Sequence, residues 1–400
     1  MTEMKEPPLA PQRPHETSHH GRTISDPWAW LRDPGYPDVT DKDVLDYLNA
    51  ENAWFEAAMK PHQPLIERLF EEMKGRIRED DASVPQKDGD WLYWRAFEKG
   101  AEYRKWFSRH VNGGPDMLIL DEPALAAGKD YFRLGAISIS PCARYLAFAV
   151  DDNGSERFEA RIRDLETGEM LPDVIPDTLS ALVWTKDSKA LVYGLANENW
   201  RTDNARLHRI GTPLEQDIEL FHEDDEGFRV SVGLTSAENW IVIATGDHVT
   251  SEVRLVPADD PTAPPIMVSA RKPGREYDVD EHDGWLYIRT NDAHPNFRLA
   301  RSRIEAPDVW EEVLAPSAHF YLTDVSIFKN FYVTEGREDG LDQIEIRDYA
   351  TNTPERLTFP EASYVAGLDD NPEYDVTKLR ISYESMVAPE TIFDLDLQTR

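Results

Sequence analysis

Tyr145-Leu146-Ala147-Phe148 reads as a short buried strand, and stretches of the same kind recur along the chain. Trp91-Leu92-Tyr93 precedes it. Leu191-Val192-Tyr193, Ile241-Val242-Ile243, Leu286-Tyr287-Ile288, Phe331-Tyr332-Val333 and Leu379-Arg380-Ile381-Ser382-Tyr383 follow it. Measured between their first residues, the spacings are 54, 46, 50, 45, 45 and 48. A steady period of about 40–50 residues with several strands per unit marks a β-propeller.

Each unit carries more than the recurring strand. A second strand follows it, as in "YRKWFSRH" (103–110), "RFEARIRDL" (157–165), "SEVRLVPA" (251–258) and "DQIEIRDY" (342–349). Another precedes it, as in "AISISP" (136–141) and "ALVWTKD" (181–187), and an outer strand such as "DMLILD" (116–121) or "MVSAR" (267–271) closes the unit. Turn residues such as Asp88-Gly89, Lys99-Gly100 and Thr167-Gly168 separate them. Four strands make one blade, and a blade buries its faces only by stacking on neighbours. The pattern predicts an all-β, seven-bladed β-propeller over residues 79–400. Two tandem sandwiches would explain the strand density but not the even spacing. The seventh unit stops at its third strand, "TIFDLDLQT" (391–399), which predicts an incomplete last blade and a chain cut short relative to its parent.

The first 78 residues differ. Residues 1–23 are rich in Pro, His and polar residues and read as a flexible tail; His15, His19 and His20 lie there without Cys or a carboxylate cluster, so a metal site is unsupported. Residues 24–78 read as a helical segment. Thr40 is placed to cap a helix from about 41 to 59, with Val44, Leu45, Leu48, Trp54 and Phe55 at helical spacing. A second helix from about 64 to 76 carries Leu65, Ile66, Leu69, Phe70 and Met73 on one face. Both stripes need a partner, either the outside of the propeller or something missing from this chain.

Composition excludes several functions. The chain has 400 residues and a formal net charge of −33, which argues against nucleic acid, because phosphate binding needs a basic face. The charge fits either plain solubility or long-range steering of basic ligands. No run of eighteen apolar residues and no apolar leader is present, and the single Cys142 cannot form an internal disulfide, which together point to a cytoplasmic protein with no membrane partner.

Catalytic constellations are missing from the motifs. There is no G-x-S-x-G elbow, Gly-rich phosphate loop, H-E-x-x-H or Cys-x-x-Cys pair, so no catalytic residue, cofactor or metal ligand is assigned. The acidic run Glu223-Asp224-Asp225-Glu226 lacks the ligand spacing of a calcium loop. Ser140 and Cys142 sit in a turn before a strand. Glu156 and Arg157 lie in the tight turn "DDNGSERF" (151–158), at one end of a blade where loops make contacts.

The chain resembles the N-terminal part of the prolyl oligopeptidase family of serine peptidases, in its oligopeptidase B branch. The likeness rests on "DPWAWLRD" (26–33), "YLNAENAW" (47–54), "EYRKWFSR" (102–109), "DLETGEMLPD" (164–173), "HRIGTP" (208–213), "TSEVRL" (250–255), "NFRL" (296–299), "WEEV" (310–313) and "NPEYDVTKLRISYESMVAPETIFDLDLQT" (371–399). Cys142 departs from it, standing where the family's blade turn usually has Asp. The resemblance implies a propeller that gates an α/β-hydrolase domain, admitting short basic peptides that are cut after Lys or Arg. The N-terminal helices would pack on that domain. The domain would lie beyond Arg400, would hold the whole triad and would leave this chain inactive alone. Glu156 resembles a propeller partner in salt bridges across the interdomain interface. The alternative is a stand-alone propeller acting as a binding module.

Overall fold

The computed structural model describes residues 6–36 and 38–399. The chain divides into two compact units, Met1–Arg78 and Glu79–Arg400.

In the first unit a hairpin pairs Glu16–His19 with Arg22–Ser25, overlapping the end of the stretch read as a tail, residues 1–23. Two helices follow, α1 (Lys42–Met59) and α2 (Gln63–Lys74). The cap of α1 is Asp41 rather than Thr40: the Asp41 carboxylate accepts from the Asp43 and Val44 N–H groups at 2.8 and 3.3 Å. Thr40 instead donates its N–H to Asp33, which also accepts from Gly35 and Asp41 and so fixes the approach to the helix. Of the apolar positions on α1 only Val44 is buried. Leu48 and Phe55 on α1, and Leu65, Leu69, Phe70 and Met73 on α2, are exposed.

The second unit is a propeller of antiparallel meanders, and the blade count departs from expectation. Among the described residues five blade-sized sheets are separate: residues 86–121, 229–267, 277–314 and 320–356 with four strands each, and 364–396 with three. The strands of residues 133–222 form one continuous seven-stranded sheet instead of two blades. Seven separate blades are therefore corrected to five plus this sheet. The cause is one long strand, Met170–Trp184. Its first half pairs with Phe158–Asp164 and its second half with Ala190–Ala196, and Thr178 pairs with both Phe158 and Leu195. Asp177, with φ of 56°, bends the strand at the handover. A bulge turns a strand without breaking its ladder, so the sheet continues where a turn was expected.

The core is a series of apolar layers between successive sheets. Ile119, Phe132, Leu146 and Phe148 join the first sheet to the seven-stranded one. Ala147, Ile162, Ile175, Leu191 and Tyr193 fill the fold of the seven-stranded sheet upon itself. Val192, Leu207, Ile241 and Ile243 come next, then Leu255, Leu286 and Ile288, then Leu299, Leu322 and Tyr332, and lastly Val333, Ile344, Leu379 and Ile381. The recurring strands supply most of these side chains, because the second strand of each meander is flanked on both edges and, away from the first and last sheets, covered on both faces.

A meander places its turns alternately at two ends. At one end the turns between first and second strands share a design in three cases. Ser140, Thr185 and Thr235 each accept with the side-chain hydroxyl from the N–H five residues on, at Tyr145, Ala190 and Trp240. Their carbonyls accept from Ala143, Ser188 and Glu238, which have φ of 56°, 59° and 55°. The hydroxyl supplies the acceptor that the left-handed turn would otherwise lack.

Candidate functional site

The opposite end of the propeller carries the turns between second and third strands, and residues 151–158 are one of them. Asp151, almost wholly buried, organises the turn. One carboxylate oxygen accepts from the N–H groups of Asn153 and Gly154 at 3.0 and 2.9 Å, the other from Glu156 at 2.8 Å. Glu156 has φ of 59° and points outward, its side chain 68% exposed. Among the described residues its ionic partner is Arg133, whose Nη1 lies 3.3 Å away. Arg157 turns the other way. It donates to the carbonyls of Ala196 and Asn197 at 3.2 and 2.6 Å and lies over the Trp200 ring, while the Trp200 indole N–H donates to Ser155. Asp152, Asn153, Arg157, Arg161 and Asp177 line a cavity of about 270 Å³ beside the turn. Arg157 is thus the fixed member of the pair and Glu156 the presented one. An exposed pair such as Arg133–Glu156 contributes at most about 1 kcal/mol, so Glu156 can exchange partners at little cost.

Carboxylates also gather along the first strands of the later sheets. Asp278 and Asp280 alternate on Tyr277–His282, and Asp324 lies on Phe320–Ile327. Burial pushes the Asp280 carboxyl up to about 6, although the Ser236 N–H (2.8 Å) and hydroxyl (2.5 Å) both donate to it from the preceding sheet. Burial raises Asp278 as well, with Arg289 at 2.6 Å opposing the rise. Glu335, pressed against the last sheet, is pushed up to about 7 by burial, only partly offset by the Leu368 N–H donating at 2.8 Å. Such groups can hold a proton or receive a cationic side chain. They form no nucleophile–base pair, and among the described residues no group of three His, Cys, Asp or Glu side chains could hold a metal ion. Ser140 accepts the Tyr145 N–H and lies 3.3 Å from the Cys142 sulfur, a turn role.

The third feature is the seam between the last sheet and the first. Successive sheets elsewhere meet through the apolar layers described above; among the described residues no buried apolar cluster spans residues 364–396 and 86–121. The contacts there are polar. Lys87 pairs with Glu373 at 2.5 Å, and Arg380 donates to the Pro85 carbonyl at 3.0 Å. Beside them is a cavity of about 710 Å³, lined by Val84, Tyr93, Trp106, Asp370 and Arg380 among others. The energies decide what this means. Truncating one buried Leu of an apolar layer costs about 2–5 kcal/mol, whereas a half-exposed ion pair contributes about 0–1 kcal/mol. The seam is the weakest joint of the ring.

Sequence reasoning reached Glu156 through its turn motif but missed the buried carboxylates and the seam. The alternation Asp278-Val279-Asp280 was the one available signal, since an acidic residue at every second position puts charge on one face of a strand.

The chain as a whole is similar to known proteins. The family model described as "Prolyl oligopeptidase, N-terminal beta-propeller domain" matches residues 7–400. The chain belongs to the prolyl oligopeptidase family. Dipeptidyl aminopeptidase BI of Pseudoxanthomonas mexicana is 32% identical, over 98% of this chain and 57% of that protein. Protease 2 of Moraxella lacunata is 27% identical with the same coverage. Among solved structures, oligopeptidase B from Trypanosoma brucei, in a closed form with covalently bound antipain, is similar with a TM-score of 0.89. It is 26% identical, over 98% of this chain and 59% of that one. The chain therefore represents the propeller portion of a family of serine peptidases and spans a little over half the length of these relatives. Among the described residues no helix is long and apolar enough to cross a membrane.

Proposed function

We propose that this chain is the gate of a cytoplasmic serine peptidase of the oligopeptidase B type, which cuts short peptides after Lys or Arg. The observation that carries the reading is the seam: a ring whose sheets meet through apolar layers but whose ends, among the described residues, meet through the half-exposed Lys87–Glu373 pair and the Arg380–Pro85 hydrogen bond is built to open at one place. A cavity of about 710 Å³ at that joint suits an extended peptide and excludes a folded domain. The net charge of −33 and the carboxylates Asp278, Asp280, Asp324 and Glu335 favour basic peptides by steering.

In this reading the catalytic serine, aspartate and histidine belong to a hydrolase domain in the additional length of the relatives, and the propeller admits or rejects substrate. The exposed apolar faces of α1 and α2 would pack on that domain, and Glu156 would bridge to it, exchanging its Arg133 partner for a basic group across the interface. The 400-residue chain alone should not hydrolyse an arginyl aminomethylcoumarin substrate. Hydrolysis that a serine-directed inhibitor abolishes would overturn the reading. The gene beyond codon 400 should continue in frame through a nucleophile elbow, then Asp, then His.

A second specificity is favoured by one observation, the 32% identity to a protein named as a dipeptidyl aminopeptidase. Assaying the full gene product with N-terminally blocked and free dipeptidyl substrates separates the two: turnover of blocked arginyl substrates supports endopeptidase action, and turnover confined to free dipeptidyl substrates supports the other.

A further inference from the structure

The turn between the first and second strands of the last sheet differs from its counterparts. The equivalent segments elsewhere are residues 89–90, 140–144, 185–189, 235–239, 283–284 and 328–330; in the last sheet the segment is 369–377. All lie at the same end of the propeller, and first strands are the innermost of each blade, so these turns ring the axis. Asp88, which ends the first strand of the first sheet, and Glu238, in the turn of the 229–267 sheet, lie within electrostatic reach of one another. Burial raises the Glu238 carboxyl, and the charge of Asp88 raises it further.

The long loop reaches over this ring. Glu373 pairs with Lys87 of the first sheet at 2.5 Å. The Tyr374 hydroxyl hydrogen-bonds His282 Nδ1 of the 277–314 sheet at 2.5 Å. The Tyr374 carbonyl accepts from the Lys329 N–H of the 320–356 sheet at 2.9 Å, and Asp375 pairs with the Lys329 ammonium at 2.7 Å. Between these anchors Asp369, Asn371 and Pro372 roof a cavity of about 140 Å³, whose other walls include Ser236, Ser326 and Phe328. One loop thus meets turns from four other sheets, on both sides of its own. In a ring, a segment with neighbours on both flanks and beyond them lies across the opening.

We propose that residues 369–377 are a clasp that closes the axial mouth at this end of the propeller and, through Glu373–Lys87, ties that closure to the seam. Its anchors are mainly polar, although Tyr374 and Val376 also pack at the edges of the adjoining apolar layers. Lys329 and Asp375 are more than half exposed, so the clasp can release without unfolding the sheets. Release of the clasp and opening of the seam share the Lys87–Glu373 contact, so one movement favours the other.

The test uses the 400-residue chain in a Cys142→Ser background, with Ser326→Cys placing a thiol in the wall of the roofed cavity. A bulky maleimide should label that thiol slowly. Adding Tyr374→Ala and Lys329→Ala, which remove the Tyr374–His282 and Asp375–Lys329 anchors, should speed labelling at least tenfold while the melting curve stays cooperative. Equal labelling rates in the two proteins would overturn the proposal. If the released variant fails to fold, hydrogen exchange in the unmutated chain decides instead. The Lys329 amide should be protected in low salt and lose at least tenfold protection in 1 M NaCl, and an amide that exchanges freely in both would overturn the proposal.

Discussion

Three N–H groups converge on the Asp151 carboxylate, and this one residue sets the shape of the turn that presents Glu156. Asp151→Ala would leave those donors without their acceptor beside a buried site, at a cost of about 2–4 kcal/mol, read as a lower midpoint in urea. Asp151→Asn should recover part of the loss, because its carbonyl still accepts. Glu335 makes a prediction of opposite character. Its folded value, about 7, lies above its ordinary 4.5. Between those pH values the folded chain keeps a proton there that the unfolded chain has released, so this residue's contribution to stability falls as pH rises through the window and stays low above it. Glu335→Gln keeps an acceptor for the Leu368 N–H and removes the ionisation. The variant should be more stable than the parent by about 1–3 kcal/mol at pH 8 and no more stable at pH 4. A difference independent of pH would show that burial of the charge is not the cause.

At the scale of elements, the strand Met170–Trp184 shows what local sequence conveys and what it leaves out. The recurring strands were legible because their apolar character repeats at a steady interval, and the turns around them because Gly, Asp and Ser mark them. The merger of two meanders was not legible. Pro172 and Pro176 resemble breakers, and only the pairing of Thr178 with both neighbours shows that the ladder continues past the left-handed Asp177. Pairing is a property of partners, not of the strand. The same limit hid Asp280 and Glu335, whose burial comes from an adjoining sheet. Glu156 was accessible to sequence reading because its turn is local. The helices α1 and α2 carry the next prediction. With Phe55, Leu69, Phe70 and Met73 exposed, the isolated chain should bind a hydrophobic dye. Replacing Phe55 and Phe70 by Glu should reduce the fluorescence at least twofold without moving the propeller's melting temperature, since exposed faces contribute little to folding. A large fall in melting temperature would mean those faces are already covered.

At the scale of the molecule, the ring is a chain of apolar interfaces with one polar joint. That arrangement follows from how a propeller closes. Successive sheets are tied by the chain and can bury apolar faces against one another, whereas the last and first sheets meet across nearly three hundred residues. The missing layer at this joint is where the fold gives up stability, and the same position is where a gate would have to move. Local opening follows the weakest contacts, and screening weakens an exposed ion pair such as Lys87–Glu373. The most direct test is hydrogen exchange across the ring of the 400-residue chain. The strands Trp91–Phe97 and Lys378–Ser385 should exchange at least tenfold faster than Trp240–Gly246, and the gap should widen in 1 M NaCl. Equal protection of all three strands, unchanged by salt, would contradict a ring that opens at its seam.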